Sequence, residues 1–138
     1  MSIVIDANAL VAFVTNEPTA PRIEELLHQW GAVGTSINTP ALARYEIANA
    51  FTKKAGTGAL TDDAMCEAWT VLDELPITYH PLSDGPSVVR AALALERRSA
   101  YDAAYLALTE VLDAELWTLD GPLARNASTR GYSIQLIK

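Results

Sequence analysis

The chain predicts an α/β fold, with a central parallel sheet of about four to five strands flanked by helices on both faces. Three observations carry that reading. Short β-branched runs alternate with longer segments of helical period, the prolines stand singly at the joints, and two of the short runs end at an aspartate. At 138 residues the chain has the length of one domain, and no repeat or Pro/Ser-rich linker divides it. Residues 1–138 are therefore expected to fold as one unit.

Residues 2–5 form a short strand ending at Asp6, and the apolar run 9–14 makes a helix packed closely behind it. Pro21 suits the first turn of a second helix that places Ile23, Leu26, Leu27 and Trp30 at helical spacing, with Gly31 as its stop. Residues 34–37 read as a second strand. Thr39 and Pro40 read as cap and first turn of a long helix to about residue 55, closed by Gly56 and Gly58, with Glu46 in its middle. Thr61, Asp62 and Asp63 open the next helix, which carries Met65, Trp69 and Leu72 on one face and halts at Pro76 before a strand at 77–80. Helices are expected over 86–98 and 100–112, with Ser99 as a cap between them. A strand at 115–119 then ends at Asp120. A helix over 122–130, a stop at Gly131 and a strand at 133–137 complete the chain.

The composition narrows the function. Half the residues are apolar, which rules out intrinsic disorder, yet the longest unbroken apolar runs, 9–14 and 103–108, fall far short of the ~18 residues of a membrane span. Residues 1–14 lack the basic start of a signal peptide, so a cytoplasmic location is expected. The single cysteine, Cys66, excludes an internal disulfide framework and is expected to be a buried, reduced thiol. A net charge of -7 argues against broad attraction to polyphosphate and favours basic partners, although Arg90, Arg97, Arg98, Arg125 and Arg130 could form a local basic rim.

In a parallel sheet ligands bind beyond the carboxyl ends of the strands, so Asp6 and Asp120 point at one crevice. Asp102 lies near the start of the helix that leads into the second of these strands; the Ser99-to-Asp102 spacing also fits a capping box. Glu46, flanked by Leu42 and Ala50, places a carboxylate on a partly apolar face, where an unpaired charge is costly. Four crowded carboxylates raise one another's pKa unless a cation neutralises them, and oxygen ligands select magnesium or manganese. Zinc is disfavoured, because His28 and His80 fall on an amphipathic helix and a strand end. The chain contains no P-loop, GxGxxG or GxSxG motif.

The run Val4-Ile5-Asp6-Ala7-Asn8, then Glu46, then Tyr101-Asp102-Ala103-Ala104-Tyr105-Leu106-Ala107-Leu108, then Leu116-Trp117-Thr118-Leu119-Asp120 resembles the PIN-domain family over nearly the whole chain. In its short single-domain form it is similar to VapC-type toxins of toxin-antitoxin modules. The resemblance implies a magnesium-dependent endoribonuclease whose catalytic and metal-binding residues are Asp6, Glu46, Asp102 and Asp120, supported by the polar Asn8 and Thr118. It also implies products with 3′-hydroxyl and 5′-phosphate ends, homodimerisation, and a cognate antitoxin whose C-terminal segment blocks the site; its basic character is expected from the acidic crevice. Gly121-Pro122 departs from the pattern, since relatives often carry basic residues there. Arg44, Asn49, Arg125 and Arg130 are further candidates for RNA contact, outside the core site. Two alternatives stay open: a catalytically inactive PIN-like module that binds a basic peptide, and another metal-dependent phosphoryl hydrolase. A phosphatase of the second kind would usually carry an aspartate where Asn8 stands.

Overall fold

The computed structural model describes residues 1–96 and 99–138. Five strands, β1 (Ser2–Ile5), β2 (Ser36–Pro40), β3 (Ile77–His80), β4 (Glu115–Thr118) and β5 (Ile134–Leu136), form one parallel sheet in the order β3-β2-β1-β4-β5. The helices are α1 (Ala7–Val14), α2 (Ala20–Val33), α3 (Leu42–Gly56), α4 (Asp62–Glu74), α5 (Gly85–Ala94), α6 (Tyr101–Leu112) and α7 (Gly121–Thr129). The central strand β1 pairs through Ile3 with Ile37 on one side and with Glu115 on the other.

Because β1 is covered on both faces it reads as an unbroken apolar run, and Val4 and Ile5 are fully buried. Connections from β1 to β2 to β3 travel one way across the sheet; those from β3 to β4 to β5 travel the other way. With right-handed crossovers this reversal puts α1 to α4 on one face and α5 to α7 on the other. It also opens a crevice at the carboxyl ends of β1 and β4, where the chain switches direction.

Several local expectations yield to tertiary pairing. Gly31 lies inside α2, and the helix instead ends at Gly34, which adopts the left-handed φ of 74° that glycine tolerates without strain. The second strand is shifted from 34–37 to Ser36–Pro40. Thr39 and Pro40 therefore end a strand rather than cap a helix: Thr39 is fully buried and donates its hydroxyl to the Ile5 carbonyl at 2.8 Å, and Pro40 pairs with His80. Helix α3 begins after Ala41, without a side-chain cap. Cys66 is exposed, because α4 turns Ala68 and Leu72 inward and leaves Cys66 on its outer face. The capping roles of Thr61, which accepts from the Ala64 amide at 3.2 Å, and of Gly131 at φ 87° match expectation. The helix expected over 86–98 is shorter than its sequence suggests: α5 ends at Ala94, Leu95 is its C-cap and Glu96 adopts a left-handed φ of 57°, while Arg97 and Arg98 lie outside the described residues. Among the described residues no helix is long and apolar enough to cross a membrane.

Candidate active site

Asp6 leaves β1 and becomes the N-cap of α1, its amide tied to the Trp117 carbonyl of β4 at 3.0 Å. Its carboxylate is almost wholly buried and is held from behind by the fully buried Thr118, whose hydroxyl donates to Oδ2 at 2.8 Å. That same hydroxyl accepts from Asn8 Nδ2 at 3.2 Å and from the Asp120 amide at 3.0 Å, and Asn8 Oδ1 accepts from the Leu119 amide at 3.2 Å. One threonine thus joins the ends of β1 and β4 and fixes both aspartates. Asp120 in turn caps α7, its Oδ1 accepting from the Leu123 amide at 3.0 Å.

Glu46, half-buried in the middle of α3, faces the same space. Its Oε1 accepts from the hydroxyl of Tyr105, which is almost fully buried on α6, at 2.5 Å. Asp102 stands one turn before Tyr105 on α6, and the four acids Asp6, Glu46, Asp102 and Asp120 line one open cleft. Ala100 takes the N-cap of α6, and the Ser99 hydroxyl accepts from the Tyr101 amide at 3.2 Å. Ser99 and Asp102 are thus one position out of register for the capping box that their spacing suggested.

The electrostatics of the cleft reflect crowding. Burial, reinforced by the charges of Glu46 and Asp102 and opposed by the Thr118 hydroxyl, pushes the Asp6 carboxyl up from 3.8 to about 7. Burial also raises Glu46, with Asp102 adding to it and the Tyr105 hydroxyl opposing it. Burial, together with the nearby Asp6 and Glu46, holds the Tyr105 hydroxyl firmly protonated and therefore a donor. Among the described residues no three His, Cys, Asp or Glu side chains are already drawn into a closed ligand set. The four acids line a common cleft.

The candidates outside the core site are divided. Arg44 points away from it, in an ion pair with Asp73 at 3.2 Å and 5.2 Å from the ring centres of both Trp69 and Tyr79. Arg130 bonds Asn126 and approaches Glu96, and Arg125 lies against Gly121 at the start of its own helix. Asn49 does line the cleft; His28 and His80 do not, and His80 Nε2 instead contacts Asn38 Oδ1 at 2.8 Å. Sequence reasoning assigned no role to Tyr105, Tyr45, Tyr101 or Lys53, although the spacing of Asp102 and Tyr105 on one helix face could have flagged Tyr105.

A model of the PIN domain matches residues 3–128. The chain belongs to the PIN-domain family. This PIN domain is 35% identical over 129 residues to the protein named Ribonuclease VapC3 of Pyrobaculum aerophilum, a match covering 90% of the chain and 93% of that relative. Its fold is similar to the crystal structure of PAE2754 from the same organism, with a TM-score of 0.61, 25% identity, and coverage of 91% of this chain and 87% of that one.

Proposed function

We propose that this PIN domain, formed by residues 1–138, is an endoribonuclease toxin of a toxin-antitoxin pair and hydrolyses RNA phosphodiesters with a divalent cation held by Asp6, Glu46, Asp102 and Asp120. The observation that carries this reading is that those four carboxylates line the crevice where the sheet reverses direction, with the Asp6 carboxyl raised by burial and by the neighbouring acids. The similarity to a protein named as a VapC ribonuclease supports the toxin assignment.

The donor set fits a hard ion. All four side chains offer carboxylate oxygens, no histidine or cysteine lines the cleft, and magnesium or manganese suits oxygen ligands better than zinc does. When bound, such an ion supplies an acidified water and neutralises charge on the scissile phosphate. The chain's own residues supply position. Thr118 and Asn8 fix the Asp6 carboxylate and the backbone that carries Asp120. The Tyr105 hydroxyl holds Glu46 through Oε1 at the edge of the cleft. No side chain needs to attack the phosphate covalently.

The negative crevice on an acidic protein also suits inhibition by a basic antitoxin segment, and we include that partner, a cytoplasmic location and homodimerisation in the proposal. Incubation with structured RNA in magnesium, in EDTA, and in EDTA followed by excess magnesium tests it. Cleavage should appear, vanish and return, and Asp6→Asn should abolish it. Cleavage by wild type that persists in EDTA would overturn the metal-dependent mechanism, and no cleavage of RNA with magnesium present would overturn the nuclease reading and leave the acidic crevice as a peptide-binding site.

A further inference from the structure

Thr39 is fully buried at the end of β2, and the carbonyl that its hydroxyl meets, that of Ile5 at 2.8 Å, belongs to the peptide that leads directly into Asp6. The reason for this bond lies one residue further on. In a parallel ladder every second amide of a strand donates to the same neighbour. The Ser36 amide donates to the Met1 carbonyl at 2.9 Å, and the register pairs Ile3 with Ile37 and Val4 with Asn38, so the donor due at the Ile5 carbonyl is the amide of residue 40. Residue 40 is proline and has no N–H. The pairing of β1 with β2 accordingly stops at Val4 and Asn38, whereas β2 stays paired with β3 through Pro40, and the Ala41 amide donates to the His80 carbonyl at 2.8 Å. A buried carbonyl left without a donor is costly, and the Thr39 hydroxyl supplies the donor.

We propose that Thr39 is a positioning residue for the proposed metal site: in place of the missing ladder amide it fixes the Ile5–Asp6 peptide, and through that peptide the direction in which Asp6 presents its carboxylate. The inference rests on the reading of Asp6 as a metal ligand. A peptide unit is planar, so its carbonyl and its amide turn together. Here the amide end donates to the Trp117 carbonyl of β4 at 3.0 Å and the carbonyl end accepts from Thr39 of β2, which ties the plane to both neighbouring strands. Asp6 follows with extended backbone angles, φ -77° and ψ 146°, and its carboxylate is then held by the Thr118 hydroxyl at 2.8 Å. Thr118 thus secures the carboxylate, and Thr39 secures the backbone from which it extends. The proline contributes as well, because an amide at residue 40 would hold β2 against β1 at the level of Asp6. Without that amide β2 leaves β1 there and runs, after Ala41, into α3, which carries Glu46 to the cleft.

Calorimetric titration of magnesium into the full chain, beside RNA cleavage followed as a function of magnesium concentration, tests the assignment. Thr39→Val keeps the shape and deletes the donor. Magnesium should then bind about 10- to 100-fold more weakly, the concentration giving half-maximal cleavage should rise by the same factor, and excess magnesium should restore most of the rate. Thr39→Ser loses the methyl group, keeps the hydroxyl and should bind magnesium as wild type does. Ile37→Val, also buried on β2, controls for stability alone and should lower the melting temperature without moving magnesium affinity. If Thr39→Val does not fold, Thr39→Cys is compared with Thr39→Ser, because a thiol is a weak donor in nearly the same space, and the Cys variant should bind magnesium more weakly than the Ser variant. Wild-type affinity in Thr39→Val, or equal affinities in the Cys and Ser variants, would overturn the positioning role and leave Thr39 a structural donor with the nuclease reading intact. So would a loss of affinity in Ile37→Val as large as that in Thr39→Val. A wild type that neither binds magnesium nor cleaves RNA would overturn the metal-site reading and this inference together.

Discussion

The Tyr105 hydroxyl and Glu46 Oε1 are 2.5 Å apart and join α6 to α3 across the floor of the acidic cleft. Since Asp102 lies one turn before Tyr105, this single hydroxyl sets where two of the four acids stand relative to each other. Tyr105→Phe keeps the packed ring and deletes only the bond. Magnesium affinity should fall about 10- to 100-fold, as it does when an outer partner of a metal ligand is removed. Folding stability should fall by roughly 1.5 to 3 kcal/mol, the range for hydrogen bonds to charged groups. Calorimetric titration of magnesium into both proteins checks the first figure; unaltered affinity would mean that α3 alone positions Glu46.

Stability without metal should depend on pH through Asp6. In the folded state its carboxyl titrates near 7; unfolded, it titrates near 3.8. Between those values the folded protein holds a proton that the unfolded chain has released. The associated stability is full below about pH 4 and is lost as pH rises through about 7, with an upper bound of roughly 4 kcal/mol. In EDTA, Asp6→Asn should therefore melt above wild type at pH 8, and the difference should shrink on acidification. Magnesium at ~100 times its dissociation constant should add about 2.7 kcal/mol to wild type and much less to the variant. A wild type that becomes more stable from pH 5 to pH 8 in EDTA would contradict this account.

Thr118 is buried and makes three bonds in the site, one donated to Asp6 and two accepted from Asn8 and the Asp120 amide. Thr118→Val has nearly the same shape and leaves all three partners unsatisfied. It should cost about 1 to 3 kcal/mol or more and strongly reduce RNA cleavage, whereas Thr118→Ser should retain most of both. Denaturant melts beside cleavage rates separate the outcomes, and equal effects of Val and Ser would point to lost methyl packing instead.

Asp120 combines two tasks that substitution can divide. Asparagine caps a helix about as well as aspartate, so Asp120→Asn should melt close to wild type, while Asp120→Ala should lose about 1 kcal/mol. Cleavage should fall in both, with more residual activity than in Asp6→Asn or Asp102→Asn. An Asp120→Asn protein with full cleavage would confine this residue to the cap.

The alternation of β-branched runs with helical periods determined the α/β class, because a strand buried on both faces must be apolar throughout and a covering helix must be amphipathic. Asp6, Asp102 and Asp120 were legible for a related reason: strand ends and helix starts are local features, and the crevice of a parallel sheet lies at a known edge; Glu46, in the middle of α3, was singled out by its partly apolar flanks and by the family resemblance. Only the tertiary structure decided that Thr39 and Pro40 continue β2, since pairing with β1 and β3 outweighs a local capping preference that single residues express weakly. The same holds for Cys66, whose exposure depends on which face α4 turns inward, and for Arg44, which is drawn away from the cleft by Asp73 and two aromatic rings. Tyr105 shows the limit most clearly. In the chain it is one apolar-side residue of α6, 59 positions from Glu46. Its place beside Asp102 on α6 is a local feature, but its bond to Glu46 forms only when the fold brings α3 and α6, from opposite faces of the sheet, within reach of each other at the cleft, and no local sequence pattern encodes that contact.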